Sequence, residues 1–326
     1  MISQTRQAEV AAETVLSPVK TRAGLPVRVL RAESRHLPDN TYIIESAPAR
    51  EVLLKPWIIG ADLAEYARES SELFLRTAYA LSPEMRDSAL SSVFEVVPLA
   101  GALYYRIGRA FRNVFGETLN RCFVGASRRL TDTGWITDLE YKNFEALTSD
   151  GIIIIGDTVA TGGTMERIIR TTLEQDFDPR ALLVYSIAGG LAGAIRFKVL
   201  SDELDVPTYW FFSNAIFGVA DSGTDMPWLH PATIVSSEVR RDAVEAYGEH
   251  LGRTWCSIWD WGERAKDPVK HLEALLKRVD SELPEAHDSK TKAVLTNVRA
   301  HALESLKRWR EPLSLRLIHA GSSAAK

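Results

Sequence analysis

The sequence has little cysteine and no long apolar run. Only two cysteines, Cys122 and Cys256, occur in 326 residues; they are too few for a disulfide framework, and neither belongs to a C-x-x-C pair. No stretch approaches the ~20 apolar residues that span a bilayer, and the first residues lack the basic-then-apolar order of a signal peptide. We therefore expect a reduced, cytoplasmic protein that has no membrane partner.

An excess of charge of one sign is absent as well. The 39 Lys and Arg against 43 Asp and Glu give a net charge of −4, which does not favour nucleic acid or an anionic membrane as a partner. The 7 histidines are scattered, without H-E-x-x-H or another metal-ligand spacing. These absences predict no nucleic-acid partner and no dedicated zinc site, and we assign no residue as a metal ligand.

One strand–turn–helix segment carries more information than the rest of the chain. Four consecutive isoleucines at 152–155 predict a strand buried on both faces, as in a parallel sheet. Gly156 and Asp157 follow, a Thr-Gly-Gly-Thr turn occupies 161–164, and Met165 opens a predicted helix. Glycines let the backbone approach a ligand closely, and free amide groups at a helix start bind anions. The segment therefore predicts a site for a phosphorylated sugar or nucleotide.

Two common phosphate loops do not account for this segment. A Walker loop needs Gly-Lys-Ser/Thr, and no lysine follows these glycines; a dinucleotide fingerprint needs G-x-G-x-x-G, which is also absent. An ordinary strand–turn–helix with a glycine turn, without a ligand, remains the alternative.

Predicted strands and helices alternate over most of the chain, which indicates an α/β protein with a central parallel sheet and helical crossovers. Strands are predicted at 27–31, 93–99, 122–125, 152–155, 181–187 and 208–212. Helices are predicted at 61–90 with a new start at Ser82-Pro83, and at 102–111, 165–174 and 191–200.

After Asp267-Pro268 the pattern becomes purely helical. Two amphipathic stretches separated by a break at 284–288 predict a C-terminal helical hairpin, which would serve packing or dimerisation. We therefore divide the chain into an N-terminal extension (1–60), an α/β domain (61–265), and a C-terminal helical hairpin and tail (266–326).

Three further segments follow predicted strands, and their order along the chain indicates a function. Ala100 and Gly101 come directly after strand 93–99, and Val124-Gly125-Ala126-Ser127-Arg128 ends the next strand. The third, Phe217-Gly218-Val219-Ala220-Asp221-Ser222-Gly223, lies beyond the last predicted strand. With the Thr-Gly-Gly-Thr turn, this order resembles the type I phosphoribosyltransferases, most closely the uracil phosphoribosyltransferase branch, over residues 93–231.

The resemblance implies an activity and a set of site residues. The enzyme would transfer the phosphoribosyl group of 5-phosphoribosyl-1-pyrophosphate (PRPP) to a nucleobase or another ring nucleophile and release pyrophosphate, with Mg²⁺ as cofactor. PRPP and a small-molecule acceptor would be its partners, and the protein would form a homodimer. Asp157 and Arg128 would be catalytic. The other implied residues bind PRPP (Ala100, Gly101, Thr158, Ala160, Thr161, Gly162, Gly163, Thr164) or line the acceptor pocket (Gly218, Asp221, Gly223).

The chain departs from the family pattern at two positions. Gly156 aligns with the family's first acidic residue, and Leu99 replaces an arginine. In the family, the region matching 131–148 is a mobile flap with a tyrosine, for which Tyr141 is the nearest equivalent, although a plain surface loop fits equally well. Three interpretations stay open: an active transferase, a catalytically weak homologue that senses PRPP or a nucleotide, and a different α/β phosphate-binding enzyme.

Overall fold

A sheet of nine strands forms the centre of the molecule. The computed structural model describes residues 2–20, 25–131, 134–148, 150–255 and 261–312. The strands of both sheets, in chain order, are β1 (Val15–Pro18), β2 (Val29–Glu33), β3 (Thr41–Ile44), β4 (Val93–Leu99), β5 (Asn120–Thr131), β6 (Gly134–Asn143), β7 (Asp150–Gly156), β8 (Asp178–Ser186), β9 (Gly189–Gly190), β10 (Thr208–Ser213), β11 (Ala215–Phe217) and β12 (Ile234–Val235).

Helices flank this sheet and form the C-terminal part of the described chain. They are α1 (Gln4–Glu13), α2 (Ala47–Leu54), α3 (Gly60–Leu81), α4 (Pro83–Arg86), α5 (Ile107–Phe115), α6 (Gly163–Leu173), α7 (Leu191–Glu203), α8 (Ser237–Thr254), α9 (Trp261–Lys266), α10 (Pro268–Glu282) and α11 (Ser289–Arg310), with 3-10 segments at Leu90–Ser92 and Gly101–Tyr105. Within the described residues, no helix combines the length and apolar character that crossing a bilayer requires.

The sheet has the order β1-β2-β3-β10-β8-β7-β4-β5-β6, and a smaller sheet has the order β12-β11-β9. The central strands, from β3 to β5 in this order, are parallel to one another, while β1, β2 and β6 pair in antiparallel fashion at the two edges. The prediction of an α/β fold with a central parallel sheet is confirmed.

Strand β7 divides the hydrophobic core into two layers. Ile152 and Ile154 pack into one cluster of buried side chains, and Ile153 and Ile155 pack into the other. All four are fully buried, and burying an isoleucine contributes about 1.5–3 kcal/mol relative to leaving it exposed. The run of isoleucines is thus buried on both faces, as the sequence predicted.

The N-terminal residues contribute strands that the sequence did not predict. Strand β3 is fully buried and parallel to β10, so β10 lies inside the sheet and not at its end. Strand β2 is antiparallel to β3 and overlaps the predicted strand at 27–31. The three-part division of the chain stays a prediction.

The predicted helix boundaries around two prolines are confirmed. Ser82 caps α4 by accepting a hydrogen bond from Met85 N at 3.1 Å, with Pro83 in the first turn. Asp267 caps α10 in the same way through Lys270 N at 3.1 Å, and Pro268 follows it. The predicted C-terminal helical hairpin is formed by α10 and α11.

A buried arginine ties α9 to the end of α2. Arg264 is 0% exposed, and its guanidinium donates to the carbonyl oxygens of Ile58 (2.8 Å), Val52 (2.9 Å) and Lys55 (2.7 Å). Burial lowers the pKa of Arg264 to about 9. The side chain thus bonds two carbonyl groups at the C-terminus of α2, those of Val52 and Lys55, and one in the segment before α3, that of Ile58.

Candidate functional site

The strand order places a topological switch point between β4 and β7. The chain runs from β4 to β5 on one side of the sheet and then returns to β7 on the other side of β4. In open α/β sheets, ligands bind outside the carboxyl ends of the strands at such a point. Strand β4 ends at Leu99, which is joined to Ala100 by a cis peptide bond, and β7 ends at Gly156. The loops after these residues therefore form the candidate site.

The loop after β7 forms a small cleft at the start of α6. Gly162 adopts a left-handed conformation with φ +81° at the N-cap position, and no side chain caps the first turn of the helix. Amide groups left open in this way attract anions, an effect that the helix dipole strengthens. The residues that line the cleft are Asp157, Thr158, Val159, Ala160, Thr161, Gly162, Gly163, Thr164 and Met165. All six residues predicted from this loop to bind PRPP are thus brought together with Asp157.

The loop is held from behind by the segment that follows β8. Gly193 N donates to Ala160 O at 3.0 Å, and Val159 N donates to Ala188 O at 3.2 Å. A Cβ at Gly162 would lie 3.1 Å from the Gly193 Cα, and a Cβ at Gly193 would lie 2.6 Å from Val159 Cγ1. Glycine at both positions lets two backbones approach closely, which fixes the shape of the cleft.

The Asp157 carboxylate is the point where the loops after β4 and β7 meet. Its Oδ1 accepts a hydrogen bond from Thr158 N at 2.8 Å, and a Cβ at Gly101 would lie 3.2 Å from the same oxygen. The side chain is half-buried. The structure therefore brings Gly101, which follows Ala100 after β4, beside Asp157; the pyrophosphate role of this segment stays a prediction.

Tyr105 supports the loop and was not predicted from the sequence. Its side chain is fully buried, its hydroxyl accepts from Ile187 N at 3.1 Å, and it lies 3.1 Å from Thr158 Oγ1. Burial is the main cause that raises the pKa of Tyr105, and the negative charge of Asp157 raises it further. The phenol therefore stays neutral. An aromatic residue inside an apolar helical pattern gives no sequence signal for this role.

Gly156 faces the protein interior and not the cleft. A Cβ at this position would overlap the Ile107 side chain and lie 3.1 Å from Tyr105 Cδ1. The family's first acidic residue therefore has no room here, because α5 and the segment before it pack against the strand end.

This packing leads to a stability prediction. Gly156→Asp is expected to lower the free energy of unfolding by about 3 kcal/mol, since overpacking and a buried unpaired carboxylate both destabilise a fold. Urea denaturation measures the change. Gly163→Asp is the matched control, because a Cβ at Gly163 meets nothing within 4 Å and an acidic residue is favourable at a helix start. Equal stability of the two variants would contradict this description of Gly156.

The hairpin β5–β6 lies beside residues 157–165, which we term the phosphate-facing loop after its proposed ligand. The register pairs Arg128 with Thr137, and Thr137 Oγ1 lies 3.1 Å from Thr164 Oγ1. The side chain of Arg128 lies outside the described residues. Arg129 Nε donates to Asp138 Oδ2 at 2.8 Å, so this second cation is bonded across the hairpin.

Much of the region predicted as a flap or a surface loop is strand. β6 extends over Gly134–Asn143, and β5 continues to Thr131, six residues beyond the predicted strand at 122–125. Tyr141 is 50% exposed and pairs with Gly125. Cross-strand hydrogen bonding orders this segment, which its polar composition did not indicate.

Of the predicted acceptor residues, the structure brings only the Gly218 segment to the loop. A Cβ at Gly190 would lie 2.5 Å from Val219 Cγ2 and 2.6 Å from Ala160 O, so Val219 is packed behind the cleft. Gly218 itself has no room for a Cβ because the His230 ring covers it. Asp221 and Gly223 belong to a turn closed by Ala220 N donating to Asp225 O at 2.9 Å, and they do not line the cleft.

The N-terminal helix α1 fixes this segment. Gln7 Nε2 donates to Val219 O at 3.0 Å, while Val219 N donates to Gln7 Oε1 at 2.8 Å. Gln4 Nε2 also donates to Val219 O, at 2.7 Å. The amide of Gln7, only 1% exposed, thus satisfies both polar backbone groups of Val219.

Among the described residues, no cluster of three or more His, Cys, Asp or Glu side chains is placed to hold a metal ion. A cation at this site would therefore take most of its ligands from a bound substrate and water, with Asp157 as the protein carboxylate within the cleft.

Comparisons with known proteins give similarity in structure only. No protein-family model matches the chain, and no curated protein matches it. A solved protein from Aquifex aeolicus is 16% identical, with a TM-score of 0.44 over 56% of this chain and 91% of that one. Adenine phosphoribosyl transferase from Trypanosoma brucei is 10% identical, with a TM-score of 0.35 over 59% of this chain and 90% of that one. A hypoxanthine-guanine phosphoribosyltransferase from Bacillus anthracis is 13% identical, with a TM-score of 0.31 over 50% of this chain and 81% of that one. The candidate site therefore rests on the strand order and loop geometry of the chain itself.

Proposed function

We propose that this protein is a phosphoribosyltransferase that transfers the phosphoribosyl group of PRPP to a ring nucleophile and releases pyrophosphate. One observation carries the proposal: a carboxylate and an uncapped helix start meet in one cleft at the switch point of a parallel sheet. A sugar that bears a phosphate presents hydroxyl donors and an anion, which these two features complement.

The 5′-phosphate of PRPP would occupy the start of α6. Backbone amide groups of the loop donate to its oxygens, and the threonine hydroxyls add further bonds. Gly163 leaves space within 4 Å where a phosphate oxygen fits. The residues assigned to this role are Thr158, Ala160, Thr161, Gly162, Gly163 and Thr164.

Asp157 would accept hydrogen bonds from the ribose hydroxyls and so hold the sugar in one orientation. The pyrophosphate would lie toward Ala100-Gly101, where a glycine leaves the approach to the Asp157 carboxylate open. Arg128 would offset the negative charge of the leaving group. C1′ would become cationic as its bond to pyrophosphate breaks, and the acceptor would attack from the other face. Holding both reactants in place and stabilising these charges would supply the rate enhancement.

The site fits Mg²⁺ as a companion of the substrate. Asp157 is the residue that would contact the ion, and Mg²⁺ characteristically keeps water and phosphate ligands beside one or two carboxylates. When bound, the ion neutralises charge on the pyrophosphate. The acceptor would enter from the side of the segment that contains Gly218, and a uracil-like ring is the first acceptor to test; Asp221 and Gly223, which lie outside the cleft, are not assigned a contact with it.

A second function, a PRPP sensor with little catalytic activity, is favoured by one set of observations. Leu99 supplies no cation at the end of β4, and Arg129 is already bonded to Asp138. Both activities require PRPP binding, but only the transferase releases pyrophosphate when acceptors are added.

Calorimetry with PRPP, with and without Mg²⁺ and with ribose 5-phosphate for comparison, tests the donor site. We expect metal-dependent binding of PRPP that is tighter than binding of ribose 5-phosphate. Absence of PRPP binding would overturn both the transferase and the sensor.

Asp157→Asn is expected to weaken PRPP binding about tenfold or more, because hydrogen bonds to a charged group contribute about 1.5–3 kcal/mol. Asp150→Asn is the matched control, since Asp150 is exposed at the opposite end of the same strand. Equal affinities of the two variants would remove Asp157 from the ribose site.

A further inference from the structure

A second cleft, lined by arginines, opens on the other side of the segment that follows β4. It has a volume of about 280 Å³ and is lined by Leu103, Tyr104, Arg106, Arg109 and Arg121. None of these residues lines the cleft of the phosphate-facing loop. The two clefts are therefore separate spaces, and the proposed PRPP site gives the second one no role.

The three arginines retain donors for an anion. Among the described residues, no carboxylate forms an ion pair with Arg106 or Arg109, whereas Arg121 Nε donates to the buried Glu95 at 2.7 Å. This bond uses only the Nε edge of Arg121, and its guanidinium lies over Gly108, where a Cβ would be 2.6 Å from Nη2. Glycine at this position makes room for the group.

Two carboxylates face these arginines, and both are already bonded. Glu95 is bonded to Arg121, and Glu65 is bonded to Arg68 through Nε at 3.0 Å. The hydrogen bond from Arg68 is the main cause that lowers the pKa of Glu65, and the charge of Arg109 adds a smaller effect. The cleft therefore keeps an excess of positive charge that no side chain of the described chain neutralises.

The backbone at Arg106 is in an unusual conformation. Arg106 has φ 57° and ψ 26°, and it is one of two non-glycine residues with positive φ in the described chain. Such conformations cost free energy and are concentrated at functional sites. Here the residue separates the 3-10 segment from α5, and it lines the cleft.

We propose that this cleft binds an oligophosphate, that is, a ligand with three or more linked phosphate groups. Guanidinium groups donate paired hydrogen bonds to phosphate oxygens, and three of them match several negative charges in one ligand. Leu103, 36% exposed, and Tyr104 provide an apolar rim that can contact a ring attached to the phosphates. The site would respond to a nucleotide independently of PRPP, and it does not depend on the proposed transfer reaction.

Inorganic tripolyphosphate is the probe, titrated into the full chain by calorimetry. The double variant Arg106→Gln/Arg109→Gln is expected to bind it about tenfold more weakly or worse, because charge-assisted bonds are lost. Arg112→Gln is the control for charge on α5: it removes one positive charge, against two in the double variant, and Arg112 does not line the cleft. Gly163→Val, which fills the phosphate-facing loop, reports on the other anion site.

Retained affinity in Arg112→Gln and Gly163→Val, together with loss in the double variant, supports the proposal. Loss in Gly163→Val would overturn it, because the probe would then occupy the loop after β7. Unchanged binding by the double variant, with a normal melting temperature, would overturn it as well. PRPP titrated into the double variant keeps the two proposals apart, since the proposed donor site predicts unchanged affinity there.

Discussion

Replacing Gly163 by valine is expected to abolish PRPP binding while leaving the protein folded. Gly163 lines the cleft at the start of α6, and a Cβ at this position meets nothing within 4 Å. The added side chain therefore enters the space proposed for the 5′-phosphate without displacing protein atoms. We expect a loss of affinity of about a hundredfold or more, the order of losing two charge-assisted hydrogen bonds.

Calorimetry measures this loss, and thermal unfolding confirms that the variant is folded. Gly163→Ala is the graded control, because a single methyl group should cause a smaller loss. Gly162→Val is unsuited to the purpose, since φ is +81° there and a Cβ would lie 3.1 Å from both Gly193 and Phe197; it would disturb the fold as well as the ligand. PRPP affinity in Gly163→Val equal to that of the unaltered protein would show that the phosphate lies elsewhere.

Arg264→Leu is expected to lower the free energy of unfolding by about 3–5 kcal/mol. The substitution removes the guanidinium donor from the carbonyl groups of Val52, Lys55 and Ile58, of which Lys55 O still accepts from Ile58 N. An unsatisfied buried polar group costs about 1–3 kcal/mol. Part of this cost is offset, because the leucine no longer buries a cation that has no carboxylate bonded to it in the described structure.

Urea denaturation with a two-state analysis measures the effect. Arg253→Leu is the matched control: Arg253 is exposed and bonds Glu249 one helical turn away, at 3.2 Å, an arrangement that contributes about 0.3–0.5 kcal/mol. A change in Arg264→Leu no larger than in Arg253→Leu would mean that water replaces the guanidinium at these carbonyl groups.

The sequence predicted the elements whose signal is local. Four isoleucines in a row define β7 because a strand covered on both faces needs an apolar residue at every position, and Pro83 and Pro268 mark helix starts because proline fits only the first turn. The cleft at 157–165 was predicted for the same reason, since its strand, turn and helix are contiguous in the chain.

The elements that were missed depend on distant partners. Strand β3 is only four residues long, and its burial comes from β10, more than 160 residues later. Tyr105 supports Thr158 across 53 residues, and nothing in its neighbours along the chain indicates that contact. The missing acidic residue at 156 is likewise explained by Ile107 and Tyr105, which only the fold brings to that strand end.

The pairing of Gln7 with Val219 joins residues 212 positions apart in the chain. Because one buried amide satisfies both backbone groups of Val219, a recombinant protein that begins at Val15 would lose both bonds together. It would keep the hydrogen bond from Gly193 N to Ala160 O, because Gly193 belongs to the segment after β8. Shortening the chain at its start thus acts on the segment that contains Gly218, the proposed acceptor side, and spares the proposed phosphate side, so the two proposed substrates could be loosened separately.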